Sequence, residues 1–237
     1  GVNIGDFGKT TGDTFFRLLT ELNEIDDIAR IRISSIEPNL LSDDIINLAA
    51  SGSKVQPHFH IPLQSGSDKI LGLMRRRYRR EVFSDRVAKI KELMPLAGIG
   101  ADVIVGFPGE TDKDFEETYK YLENLPLTYL HVFSFSERPG TIAETLPGKV
   151  VHTKKEERSK SLSSLSEKIN MEFLKMNIGQ TTGILFEHSR YEGLATGFTG
   201  NYIKVYCNWK SGLAGTLRNA QLTGISPTGK MNIDLIN

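Results

Sequence analysis

The stretch DVIVGFPGETDKDFEETYKYL, Asp102 to Leu122, decides how the rest of the chain is read. Val103 to Gly106 are apolar or small and run directly into Phe107-Pro108-Gly109-Glu110. Proline at the second and glycine at the third position of that tetrapeptide suit a type II turn, which needs a positive φ at its third residue. A buried strand therefore ends abruptly there. Thr111 stands three residues before Asp114, a capping-box spacing, and Phe115, Tyr119, Leu122 and Leu125 follow at helical intervals on one face. In parallel α/β folds ligands gather at the carboxyl ends of strands, and Gly106 would let a flat ligand approach the backbone. GFPGE reads equally well as a turn and nothing more.

Similar units precede it. GVNIGDFG reads as the tail of a strand and a glycine loop, followed by a helix capped by Asp13 or Thr14 with Phe15, Leu18, Leu19 and Leu22 as its apolar stripe. RIRISSIEP alternates with period two and predicts a strand stopped by Pro38, with Ser35 and Glu37 at its carboxyl end. Ser42 can cap a short helix carrying Ile45, Ile46 and Ala49 inward. PHFHIPLQSGS is the next strand: Phe59, Ile61 and Leu63 point to helices, and His58, His60 and Gln64 to the other face. Pro62 removes a ladder donor, so the strand should end near Ile61. The two histidines share a strand face, but the sequence shows no third metal ligand beside them.

MRRRYRR sets five arginines around Tyr78 between Arg75 and Arg80. Such a patch suits phosphate and base contacts, or else complements a helix dipole. The helix from Glu81 to Met94 should turn Phe83, Val87, Ile90 and Leu93 inward. After the central helix, TYLHVFSFSERPGT supplies another strand, with Ser134, Ser136 and Arg138 near its exit. Alternating βα units imply a parallel sheet, doubly wound or curved as a barrel, and four strands with a stub near residue 3 do not close one. The expected edge left open makes the chain look truncated at its amino-terminal side.

Residues 153–177 predict a long charged helix with Leu162, Leu165, Ile169, Phe173 and Met176 on one stripe, ended by Gly179. Beyond it, short alternating runs between glycine turns predict a small β-barrel. Tyr202, Lys204 and Tyr206 are expected on one strand face with Trp209, Lys210 and Arg218 nearby, a composition that serves single-stranded nucleic acid or a barrel core. The expected divisions are 1–150, a connecting helix 151–178, and 179–237.

Lys+Arg and Asp+Glu both total 29, so nucleic-acid affinity has to come from local patches. No apolar run approaches a membrane span and no signal peptide opens the chain, which gives a cytosolic expectation. Cys207 is the one cysteine, so no internal disulfide or multi-thiolate site can be assembled, and its alternation with aromatics in YIKVYCNW reads as a buried strand position.

Six motifs, GVNIGDFG, RIRISSIEP, HFHIPLQSGSDKIL, MRRRY, DVIVGFPGETDKDFEET and HVFSFSERPGT, follow one another in an order and spacing similar to the radical SAM methylthiotransferases. The resemblance runs over essentially the whole chain and is strongest to the branch that acts on N6-threonylcarbamoyladenosine beside the tRNA anticodon. It implies a partial parallel (β/α) radical SAM barrel of TIM-like type, then a small all-β barrel resembling the OB-like TRAM domain that holds RNA. It also implies S-adenosylmethionine, two [4Fe-4S] clusters in the full-length protein, the tRNA anticodon stem-loop as partner, and an external electron donor. The family's CxxxCxxC and amino-terminal cluster domain are not in these 237 residues, so the resemblance makes this the carboxyl-terminal portion, inactive alone and without metal ligands.

Residue by residue, the resemblance places Asn3 near the methionine amine, and Glu37, Gln64 and Ser65 at strand ends facing the cofactor cavity. Ile104, Gly106 and Glu110 match the turn beside the adenine, and Arg77 a cofactor carboxylate contact. Arg75, Arg76, Arg138, Tyr202, Lys204 and Lys210 are the expected RNA contacts. Two other readings remain: a non-catalytic RNA-binding module on a degenerate barrel, and the sister branch that modifies a ribosomal-protein aspartate.

Overall fold

The structure, a computed structural model, describes residues 4–191 and 193–236. Three parallel strands, β1 (His58–His60), β2 (Gly98–Val105) and β3 (Tyr129–Ser134), pair in that order. His60 lies opposite Gly100, and Asp102 opposite His131. Each strand is added on the same side as the last, which is the progression of a (β/α) barrel and lacks the reversal of a doubly wound sheet.

β1 is short because Pro57 before it and Pro62 after it cannot donate to a ladder. RIRISSIEP, expected as a strand, runs beside β1 as extended chain and not as a ladder. Ile31 bridges Val55, and the Ile36 N–H donates to the His60 carbonyl at 3.1 Å. The expected strand stub near residue 3 falls partly outside the described residues, and Ile4–Asp6 form a 3-10 turn.

Helices cover the outer face of this arc: α1 (Phe15–Asn23), α2 (Asp43–Ala50), α3 (Asp68–Leu73), α4 (Arg80–Leu93) and α5 (Asp112–Glu123); the short α6 (Ile142–Thr145) lies instead beside the carboxyl ends of the strands. Thr14 caps α1 and Ser42 caps α2 through their hydroxyls. Phe59, Ile61, Leu63, Val103 and Val105 from the strands meet Phe83, Val87, Ile90 and Leu122 from the helices in one core. Burial of each such side chain is worth ~1.5–3 kcal/mol. Leu93, expected inward, is exposed at the end of α4.

α7 (His152–Asn177) serves two cores. Leu162 and Leu165 belong to the first, and Phe173 and Leu174 to a second. Met176, expected on the inward stripe, is 57% exposed, because the second body meets α7 on the adjoining face where Leu174 and Asn177 are buried. That body is a closed barrel of β4 (Thr181–Tyr191), β5 (Leu194–Phe198), β6 (Lys204–Asn208), β7 (Leu217–Ile225) and β8 (Met231–Leu235), ordered β4-β5-β6-β8-β7. It is fastened beneath the parallel strands. Arg30 donates to the Gly183 carbonyl at 2.7 Å and to that of Phe198 at 3.3 Å, and the Asn201 amide donates to the Leu96 carbonyl at 2.7 Å. Among the described residues, no helix is long and apolar enough to cross a membrane.

Candidate active site at the strand ends and in the lumen

Two turns shape the carboxyl ends of β1 and β2. Gln64 adopts φ 71°; its N–H donates to the Asp102 carbonyl at 2.8 Å and its carbonyl accepts from the Ile104 N–H at 2.9 Å. The chain is thus stitched back to β2 before Ser65-Gly66-Ser67 crosses α5. Ser65 is buried with its hydroxyl 3.3 Å from that of Thr118, and the Ser67 hydroxyl donates to Asp114 at 3.1 Å. A Cβ on Gly66 would lie 2.8 Å from the Thr118 α-carbon, so glycine is what lets this loop lie on the helix.

The second turn has the expected type II form, with Gly109 at φ 88° and the Glu110 N–H donating to the Phe107 carbonyl at 3.0 Å. The capping box is complete in both directions between Thr111 and Asp114. Burial raises the Asp114 carboxyl, but donation from Lys69, Thr111 and Ser67 outweighs it and holds the group at about 2.

Gly106 has φ 77°, and its N–H donates to Glu110 Oε2 at 2.7 Å. Glu110 is buried and its other partner is Arg158 Nη1 at 2.6 Å, while Arg158 Nη2 reaches Asp112 at 2.9 Å. Burial pushes the Glu110 carboxyl up, against the Gly106 N–H and the Arg158 guanidinium. The position a Cβ of Gly106 would take is 2.4 Å from Lys155 Cγ, so a ring approaching that glycine requires Lys155 to move.

The arginine run divides. Arg75, with φ 56°, Arg77 and Arg79 are exposed, Arg76 lies 3.5 Å from Glu37, and Arg80 pairs with Glu117 at 2.6 Å. Tyr78, expected as an aromatic among these charges, is buried and donates to the Pro62 carbonyl at 2.7 Å; burial raises its hydroxyl pKa, and it offers no stacking face. Arg75, Arg76, Ile104 and Phe107 line one cleft of about 270 Å³. Ile104 also lines a second, of about 420 Å³, with Phe133, Ser134 and Arg138. Glu37, Arg75, Arg76, Ile104 and Arg138 are therefore gathered around one mouth, whereas Asn3 lies outside the described residues.

The other expected contacts sit elsewhere. Tyr202 precedes β6 at φ 71°, with its ring 4.5 Å from His58, 4.6 Å from Phe198, and under the Arg32 guanidinium at 4.0 Å. It does not share a strand face with Lys204. Lys204 lies 3.6 Å from Glu187, and Lys210 is exposed beyond β6. Cys207 lies in β6, half-buried, with its thiol pKa raised by burial.

Below the mouth, the lumen face carries a chain of polar rings that the sequence did not show as a group. His58 Nε2 and His60 Nδ1 lie 3.0 and 3.2 Å from the Tyr129 hydroxyl, and His60 Nε2 lies 2.8 Å from Asp102 Oδ1. His131 Nδ1 is 3.4 Å from the same carboxylate oxygen. Burial, with the charge of Arg32 nearby, pushes the His58 imidazole down to about 3, so this ring is neutral. The paired histidines do not converge on one point: His58 faces Tyr129, and His60 is joined instead by Asp102 from β2 and His131 from β3. The signal was alternation: Asp102 shares a face with Ile104, and His131 with Phe133. Arg158 had a signal too, standing one helical step before Leu162 and Leu165 on the apolar stripe of α7.

An iron–sulfur cluster needs several thiolates, and Cys207 lies alone in the small barrel, so this chain's residues do not hold one. Residues 8–122 match the model of the radical SAM superfamily. The threonylcarbamoyladenosine tRNA methylthiotransferase of Aquifex aeolicus is 39% identical over 206 residues, covering 86% of this chain and 49% of the relative. Its Bacillus subtilis counterpart is 38% identical over 211 residues, with 86% and 47% covered. The tRNA-2-methylthio-N(6)-dimethylallyladenosine synthase of Thermobifida fusca is 40% identical over 187 residues, covering 78% of this chain and 38% of the relative. The chain spans about half the length, or less, of the curated relatives it matches. Residues 8–122 are thus similar to the radical SAM superfamily, and most of the chain is similar to part of these tRNA methylthiotransferases.

Proposed function

We propose that this chain is part of an enzyme that adds a methylthio group to C2 of N6-threonylcarbamoyladenosine beside the tRNA anticodon. The observation that carries the reading is the single mouth at the strand ends, where Ile104 joins two clefts and Arg75, Arg76 and Arg138 stand at the rim. Clefts of this scale suit a nucleoside, and arginine suits the phosphates and the threonyl carboxylate that accompany it. In this reading S-adenosylmethionine lies against Glu37, Gln64 and Ile104, with Asn3 and Arg77 at its methionine end, while Ser65 faces α5 and not the cofactor; when bound, S-adenosylmethionine supplies radical chemistry and the methyl group. Gly106 and Glu110 hold the turn that shapes the wall, with Ser65 pinning the neighbouring loop to α5. Both [4Fe-4S] clusters and the electron that activates them come from outside this chain's residues. The five-stranded barrel acts as the TRAM domain and grips the anticodon stem-loop with Lys204 and Lys210, in a cytoplasmic enzyme with divisions at 1–150, 151–178 and 179–237.

Mass spectrometry of tRNA nucleosides from a strain lacking the gene tests this. The 2-methylthio derivative of threonylcarbamoyladenosine should vanish while its unmodified precursor accumulates. Loss of the dimethylallyl counterpart instead would move the chain to the other group of relatives, and an unchanged nucleoside profile would remove tRNA as the substrate.

A further inference from the structure

We propose that His60, Asp102 and His131 form a binding site for one divalent transition-metal ion in the lumen of the parallel strands. His60 Nε2, Asp102 and His131 Nδ1 each offer a ligand atom, and the three atoms lie within 4.8 Å of one another. Two of the separations are 2.8 and 3.4 Å. Tetrahedral ligands at ~2.0–2.2 Å from a metal lie roughly 3.3 Å apart, so the site closes on an ion with sub-ångström adjustments. Three adjacent strands supply the three ligands, which fixes their backbones in register.

The surroundings are those of a metal ligand set. A metal-bound imidazole is ordinarily oriented through its second nitrogen, and the Tyr129 hydroxyl 3.2 Å from His60 Nδ1 does this. Tyr129 can lie there because residue 100 is glycine: a Cβ at that position would be 2.1 Å from Tyr129 Cζ. When His60 gives its Nε2 lone pair to a metal, its Nδ1–H donates to the Tyr129 oxygen, and the Tyr129 O–H turns to His58 Nε2, 3.0 Å away. In its Nδ1–H tautomer His58 accepts that bond through Nε2. The network thus has a hydrogen-bonding arrangement suited to the metal-bound state as well as the one in which His60 donates to Asp102.

Two imidazoles and a carboxylate suit Zn²⁺, Fe²⁺, Mn²⁺ or Co²⁺ better than Ca²⁺ or Mg²⁺. His131 is more than half exposed and borders a cleft of about 510 Å³ shared with Tyr129, Tyr202 and Lys204, which gives solvent access and leaves coordination positions open.

Tag-free chain titrated with Co²⁺ tests the site through the visible ligand-field band, with Zn²⁺ equilibrium dialysis as the second readout. One equivalent should bind. His131→Ala, an exposed change that leaves the core intact, should weaken binding at least tenfold, and so should Asp102→Asn. His152→Ala, at an exposed histidine on α7, should leave it unchanged. Absence of a band with no Zn²⁺ retained, or binding that survives His131→Ala, overturns the proposal.

Discussion

Glycines at the two levels of the parallel strands do different work. At the carboxyl ends Gly106 and Gly109 have φ of 77° and 88°, so glycine is there for the backbone conformation the turn requires. Lower in the lumen, Gly98 and Gly100 lie within regular β2 and have no positive φ. They are there for space, since a Cβ would meet the Asn201 carbonyl at 2.3 Å in one case and the Tyr129 ring at 2.1 Å in the other. The upper level is a wall of backbone hydrogen bonds held by carboxylates. The lower one is packed rings, floored by the small barrel. A glycine in a strand therefore marks what lies over it, and a glycine after a strand marks how the chain leaves.

The largest effect should come from removing what holds the upper wall. Arg158→Met leaves Glu110 buried without its guanidinium and frees the GFPGE turn, and losing one partner of a buried pair costs about 3–5 kcal/mol. Urea unfolding should show that loss as a lower midpoint with an unchanged slope. The double change Glu110→Gln with Arg158→Met should recover part of it, because no unpaired charge remains. A single-variant cost below ~1 kcal/mol would mean that the pair does not secure the wall.

The contrast between the glycines is itself breakable. Gly100→Ala should cost about 1–3 kcal/mol as an overpacked core position. It should also displace Tyr129, seen as a changed tyrosine signal in the near-ultraviolet. Gly106→Ala should cost roughly 1–2 kcal/mol for the left-handed conformation and displace the Lys155 side chain as well, with that tyrosine signal unchanged. Equal perturbation of Tyr129 by both variants would erase the distinction.

What the sequence could show follows the range of the interactions. The type II turn and the capping box are written in adjacent residues, and each formed as read. β1 stops where Pro62 says it must. Glu110 and Arg158 are 48 positions apart, and the bond between them depends on where α7 crosses, which no local pattern encodes. The lumen cluster is likewise a product of register: His60 and Asp102 are 42 positions apart and meet because Gly100 pairs with both His60 and Tyr129. Tyr78 misled because an aromatic among arginines reads as a surface feature, while its hydroxyl had a buried carbonyl to satisfy. RIRISSIEP misled in the other direction, since β propensity alone does not supply a ladder partner.

The smallest expected effect tests how dry the floor is. Lys91 on α4 reaches the Pro95 and Ala97 carbonyls at 3.2 and 2.8 Å, and its ammonium lies 5.3 Å from the Phe173 ring of α7. Burial lowers its pKa to about 8, from the ordinary lysine value of 10.5. Below pH 8 the group is charged in both folded and unfolded chains, so the cost of burying the charge is fully felt. Between about 8 and 10.5 the unfolded chain holds more protons than the folded one, and stability contributed by this group rises with pH. The side chain is partly exposed, and solvent screening limits the slope to under ~1 kcal/mol per pH unit. Other lysines and tyrosines titrate in the same window, so the quantity to follow is wild type minus Lys91→Met. That difference should move in favour of wild type as pH rises from 8 to 10. A flat difference would mean that water reaches the ammonium, and that the joint between α4 and α7 is as wet as the mouth above it.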